Sequence, residues 1–88
     1  MGTQMLQTYL EKLDPPNNAA RFYRMAVLPN LFGEWTLYRE WGRIGQGGQV
    51  RLDCYEHESQ AVAALMALEA SKRARGYWAE PQQRTMFD

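Results

Sequence analysis

Apolar and polar residues alternate along several stretches of this chain and recur at helical spacing along one more. In residues 19–28, Phe22, Arg24, Ala26 and Leu28 fall on one side of an extended chain, and Tyr23, Met25 and Val27 on the other. Both sides are largely apolar, which predicts a central strand covered on both faces. Two further alternating runs, 35–40 and 50–55, flank a Gly-rich segment holding Gly42, Gly45, Gly47 and Gly48, and so predict a β-hairpin. Residues 59–75 are rich in Ala, Leu, Met, Glu and Lys and predict a helix, with Ala61, Leu65 and Leu68 as its buried stripe and Val62 and Met66 widening it. Glu58 near its start and Lys72, Arg73 and Arg75 near its end suit the helix dipole, and Gly76 suits the position just past its end. Residues 5–13 are ambiguous by pattern alone, because Leu6, Tyr9, Leu10 and Leu13 would also fit a short helix. Asp14-Pro15-Pro16-Asn17-Asn18 is a turn on either reading. Leu31 and Phe32 are unusually apolar for the connection they occupy, which implies a loop folded back on the sheet or else a small interaction patch.

These elements imply an α+β domain: a small antiparallel sheet of about four strands with one C-terminal helix packed across a face. Its 88 residues suffice for one domain, expected over residues 1–78, with a polar, flexible tail over 79–88. Formal net charge is zero, yet Arg21, Arg24, Arg39, Arg43 and Arg51 in residues 19–52 face only Glu34 and Glu40, so the middle of the chain is basic. The plain reading of the basic run Lys72, Arg73 and Arg75 is dipole complementarity and solvation, with contact to a DNA backbone as the second.

Candidate chemistry is sparse. The single Cys54 excludes an intramolecular disulfide and is expected to pack in a strand as a small hydrophobe. His57, in Glu56-His57-Glu58, reads as an exposed or capping residue with no partner spacing for catalysis. The Gly-rich turn lacks the following helix that a phosphate-binding loop requires. A non-enzymatic protein without metal or cofactor is expected. Nothing in the sequence reads as a membrane span or signal peptide, so the expectation is soluble and cytoplasmic.

Trp41-Gly42-Arg43 with Ile44-Gly45 resembles the signature of the WGR domain, and three more anchors follow the same order. Arg21-Phe22-Tyr23-Arg24-Met25 is similar to the family's basic-aromatic strand. Ala61-Val62, and Lys72 through Gly76-Tyr77, resemble its helix and its Lys-to-Gly-Tyr end. The resemblance covers roughly residues 8–78 and implies a strand, rather than a helix, for residues 5–13. It also implies DNA binding, best known in poly(ADP-ribose) polymerases, where the catalytic domain is a separate module. There the motif tryptophan stacks near a terminal nucleotide and the arginine and glycine approach phosphate; the matching positions are Trp41, Gly42 and Arg43. An asparagine that contacts phosphate in some relatives is replaced by Ala20, with Asn17 and Asn18 nearby.

The expected nucleic-acid-binding set is Trp41, Gly42, Arg43, Gly45, Arg21, Arg39, Arg51 and Lys72, with DNA held by phosphate contacts and aromatic stacking rather than base reading. Backbone N–H groups of Gly42 and Gly45 could also meet a phosphate. Two plainer readings stand beside this one: Trp41 as a core ring and Arg43 as an internal brace of the turn. A second function class is a protein–protein adaptor using the Trp41/Arg43 face. In the tail, Gln83, Met86 and Phe87 resemble the Gln-x-x-Leu/Met-Phe peptide that docks on the bacterial replication sliding clamp.

Overall fold

The computed structural model describes residues 6–79. Strand β1 (Leu6–Asp14) leads through a single 3-10 turn (Pro15–Asn17) into β2 (Ala19–Pro29). Asn18 closes that turn in the left-handed region (φ 51°), which asparagine tolerates better than most residues. Then come β3 (Trp35–Arg43), β4 (Gln49–Tyr55), the helix α1 (Glu58–Ala74) and a two-residue strand β5 (Trp78–Ala79). All pairings are antiparallel, in the order β4-β3-β2-β1-β5, so consecutive strands lie side by side and only β5 returns to the far edge. Residues 6–14 are thus strand, and β5 is one strand more than the pattern predicts: Trp78 is paired beside Glu11 on β1.

Strand parity sorts the side chains between two unequal faces. Leu10, Tyr23, Met25, Val27 and Leu37 point toward α1 and form the core with its Ala61 and Leu65. Leu10, Met25, Leu37 and Leu65 are almost fully buried, each worth about 1.5–3 kcal/mol of transfer free energy. Helix α1 begins at His57, whose backbone N–H donates to the Gln60 side chain (3.0 Å) as one half of a capping box. Met66 does not widen the buried stripe: it is 61% exposed, on the flank that looks away from the sheet.

The opposite face of the sheet has no helix, so β2 is covered on one side only. Arg24 compensates locally. Its guanidinium lies over the rings of Tyr9 and Phe22 (5.3 and 5.6 Å) and pairs with Glu40 at 3.3 Å. Glu40 also accepts the Tyr38 hydroxyl (3.0 Å), which raises the Tyr38 pKa. Farther out, Val50, Leu52 and Cys54 remain exposed, so the cysteine is not packed away. Nor does the β2–β3 connection fold back on the sheet. The Asn30 side chain accepts the N–H groups of Phe32 and Glu34 (both 2.9 Å), and this tight turn holds Leu31 and Phe32 outward, 97% and 84% exposed.

The Gly-rich segment between β3 and β4 is shaped by close approach. The Gln46 N–H donates to the Arg43 carbonyl (3.1 Å) across a turn whose third residue, Gly45, has φ +89°, as a type II turn requires. The chain then folds over β3 so that Gly48 lies on Gly42 and against the Phe22 ring. A Cβ on Gly48 would overlap the Trp41 carbonyl and press on Phe22 at 3.0 Å, whereas one on Gly47 would meet nothing. Gly48→Ala is therefore expected to destabilise the domain by about 1–3 kcal/mol. Gly47→Ala should be neutral or stabilising by up to about 1 kcal/mol. Urea unfolding followed by tryptophan fluorescence measures both, and equal midpoints for the two variants would contradict the packing described.

Candidate nucleic-acid interface

Tyr23 stands opposite Trp41 in the β2–β3 ladder, both pointing to the helix side. Their rings stack with centroids 5.6 Å apart and planes 12° from parallel. Arg39, one position along the same face, donates from Nε to the Tyr23 hydroxyl (2.9 Å), lies over both rings (5.9 and 5.6 Å) and reaches Asp53 at 3.5 Å. Its guanidinium is thus largely committed inside the protein. Trp41 is half-buried against the core, so it joins the two readings made of it: one ring face packs on Tyr23 and part of the rest is accessible.

The end of α1 supplies the other wall. The Gly76 N–H bonds to the Arg73 carbonyl (3.0 Å) and the Tyr77 N–H to the Lys72 carbonyl (3.1 Å), the two bonds of a Schellman cap. Gly76, at φ +99°, makes the reversal possible. The cap turns Tyr77 back over the sheet, edge-on to Tyr23 at 6.3 Å and 79°. Lys72 then lies over Tyr23 (4.5 Å) and near Tyr77 (6.0 Å), while Lys12 of β1 approaches Tyr77 from the other side (5.9 Å). Each such cation–ring contact contributes roughly 0.5–1 kcal/mol where water still reaches it.

Between these walls lies an open concavity of about 740 Å³. It gathers six cations (Lys12, Arg21, Arg39, Arg43, Lys72 and Arg75) around Tyr23, Trp41 and Tyr77, against a single acid, Asp14. Asp14 already accepts the Asn17 side-chain amide at 2.7 Å. Register makes the charge unusual. Arg21 stands directly opposite Lys12 on one side and Arg43 on the other, a row of three cations across three strands. Like charges in opposed positions are unfavourable, and among the described residues Lys12, Arg21, Arg43, Lys72 and Arg75 have no acid partner. Arg39 and Arg51 are opposed in the same way, but Asp53 pairs with both (3.5 and 3.1 Å).

Of the residues expected from sequence, Trp41, Arg21, Arg39, Arg43 and Lys72 come together in this concavity. Gly42 lines a smaller hollow of about 270 Å³ beside it, with Arg21, Arg43, Gly47 and Gly48. Gly45 lines neither, and Arg51 points to Asp53 instead. Arg43 braces nothing: its side chain has no hydrogen bond among the described residues. Lys12 and Tyr77 were not expected, and Arg75 was read only as part of the basic run at the end of the helix. Only the β1–β2 register and the helix cap bring them in, although the Lys-Gly-Tyr spacing of residues 72–77 carried part of the signal. Ala20 offers its carbonyl to the Ile44 N–H (3.0 Å), and Asn17 lines the concavity. Gln83, Met86 and Phe87 lie outside the described residues.

Crowding shows in Lys72, whose pKa is lowered from the ordinary 10.5, first by burial and then by Arg75 and Arg39. Arg75→Gln removes one of these causes and should move the Lys72 titration upward, read from its Cε chemical shift by NMR. An unchanged titration would mean that Arg75 does not act on this amine.

The chain is 44% identical over 81 residues to the uncharacterized protein y4dW of Sinorhizobium fredii, covering 92% of this chain and 40% of that protein. It therefore spans about two-fifths of that relative's length. No solved structure gives a significant match. The family model of the WGR domain matches residues 6–84, from the first strand past the last, and the chain belongs to the WGR domain family.

Proposed function

We propose that this domain binds DNA through the concavity between the β1–β3 end of the sheet and the end of α1. WGR domains are known in poly(ADP-ribose) polymerase-like proteins to bind DNA, and the domain is a small module that is not itself catalytic. One observation carries the reading: the unneutralised row Lys12–Arg21–Arg43, faced by Lys72 and Arg75. A phosphate backbone supplies the anions that the fold does not, and release of its counterions drives association. Trp41 and Tyr77 border the same space and offer apolar ring surface to a terminal or unpaired base. Contacts of this kind position a protein without reading sequence, so preference goes to DNA ends, nicks or single strands over particular base pairs. A protein-binding adaptor on the Trp41/Arg43 face fits less well, because six cations against a single acid there would need a strongly acidic partner surface to match them.

Fluorescence anisotropy with labelled blunt, nicked, single-stranded and closed-hairpin DNA at two salt concentrations tests this. Arg21→Ala and Arg43→Ala should each weaken binding to every DNA and reduce the salt slope by about one. Arg51→Ala, outside the concavity, should change neither. Trp41→Ala should remove the preference for ends, with a melting curve run alongside because the ring packs on Tyr23. Absence of binding even at low salt would overturn the proposal.

A further inference from the structure

Strand β4 forms one edge of the sheet, and among the described residues nothing pairs with its outer side. Edges of this kind are ordinarily blunted by charged side chains, proline or a bulge; β4 carries charge only as the opposite-sign pair Arg51 and Asp53, which a second copy can match. Here the seven residues Gln-Val-Arg-Leu-Asp-Cys-Tyr contain no proline, and their register with β3 runs unbroken from Trp35↔Tyr55 to Trp41↔Gln49. On the face without the helix, Val50 and Leu52 are 53% and 60% exposed, with Cys54 beside them.

Which backbone groups face outward follows from the ladder. The Ile44 N–H bonds to the Ala20 carbonyl, so even-numbered positions of β3 bond to β2 and odd-numbered ones to β4. In β4 the N–H and C=O groups of Val50, Leu52 and Cys54 therefore point away from the sheet. A second β4 laid antiparallel on this edge must match these three residues with their counterparts, which leaves few registers. With the two-fold at Leu52, Leu52 meets Leu52 of the second copy and Val50 meets Cys54, so all the outward groups are paired. On the helix side, Arg51 then stands opposite Asp53 of the second copy, twice over. Moving the two-fold one residue either way sets Arg51 against Arg51 or Asp53 against Asp53, which like-charge repulsion disfavours.

We propose that β4 is a self-association edge, and that its partner is a second copy of this chain paired antiparallel about Leu52 in one continuous sheet. The surface is self-complementary, as a two-fold contact requires. Arg51, already 3.1 Å from its own Asp53, exchanges that partner for the second copy's carboxylate at little cost. A single strand pair is a small interface, so association is weak and concentration-dependent. The two-fold stands perpendicular to the sheet and leaves both cationic concavities on the same side.

Sedimentation equilibrium from about 1 μM to about 1 mM tests this. The apparent mass should climb from that of one chain toward twice it. Arg51→Asp alone and Asp53→Arg alone each place like charges opposite one another and should stay monomeric, whereas an equimolar mixture of the two should associate again. Leu52→Lys, at an exposed position, should remain monomeric with an unchanged circular dichroism spectrum; it supplies the test if loss of the Arg39 partner unfolds Asp53→Arg. A wild-type mass that stays at one chain throughout would overturn the proposal. So would Arg51→Asp associating like wild type, or folded single variants that fail to associate when mixed.

Discussion

The stacked pair Tyr23 and Trp41 is the contact on which both core and site depend. Tyr23 is 2% exposed in the central strand, between Leu10 on β1 and Trp41 on β3. Its ring closes one end of the apolar cluster beneath α1, while its hydroxyl and upper face hold Arg39 and Lys72 at the floor of the concavity. An offset aromatic pair contributes about 0.5–1.5 kcal/mol beyond the area it buries. The geometric consequence matters more. Because the pair is fixed by strand register, Arg43, one position beyond Trp41 on the same face, and Arg21, one position before Tyr23, are brought opposite each other by the same ladder. Stability and charge crowding thus have a common origin.

That crowding is a cost the fold carries. Opposed like charges lose roughly 0.2–1 kcal/mol per pair, and Lys72, whose pKa is lowered first by burial, is lowered further by Arg75 and Arg39. The sheet relieves one such pair and not the other. Asp53 lies within reach of both Arg39 and Arg51, whereas among the described residues no acid pairs with Arg21 or Arg43. Solvent and salt screen part of the repulsion, since the concavity is open. The remainder favours any ligand that brings negative charge, and it does so without a specific contact being prepared in advance.

Much of the architecture could be read in the chain because it is local. Parity along residues 19–28 assigns Tyr23, Met25 and Val27 to one face correctly, and the glycines mark the β3–β4 turn. Helical spacing finds Ala61 and Leu65. Most of the errors have one physical root: periodicity says that a face is apolar but not what covers it. With one helix against five strands among the described residues, the far face of β2 has no helix and Cys54 and Met66 stay exposed although they were expected to pack. Leu31 and Phe32 fail for a different reason, since the side-chain bonds of Asn30 set their direction. Most of the candidate site's residues were legible singly, but their arrangement only where they are neighbours in sequence. Trp41 and Arg43 are; Lys12, Arg21 and Arg43 become a row only through two registers, and Tyr77 only through the helix cap.

Arg43 and Arg51 illustrate why composition could not separate the site from its surroundings. Both are arginines near the β3–β4 turn, on the helix side of the sheet, each opposed to another arginine. They differ in whether a carboxylate sits two residues along the same strand. On β4 the alternation Arg51-Leu52-Asp53 places Asp53 on the same face as Arg51, so that guanidinium is neutralised at 3.1 Å and joins an edge whose charges balance. On β3 the corresponding position beyond Arg43 would be Gly45, already in the turn and without a side chain. A chain of zero net charge can therefore hold a strongly cationic concavity: among the described residues, the acids paired with cations are Asp53 on β4 (with Arg39 and Arg51), Glu40 on the uncovered face (with Arg24) and Glu69 on α1 (with Arg73), and none of them pairs with Arg43 at the end of β3.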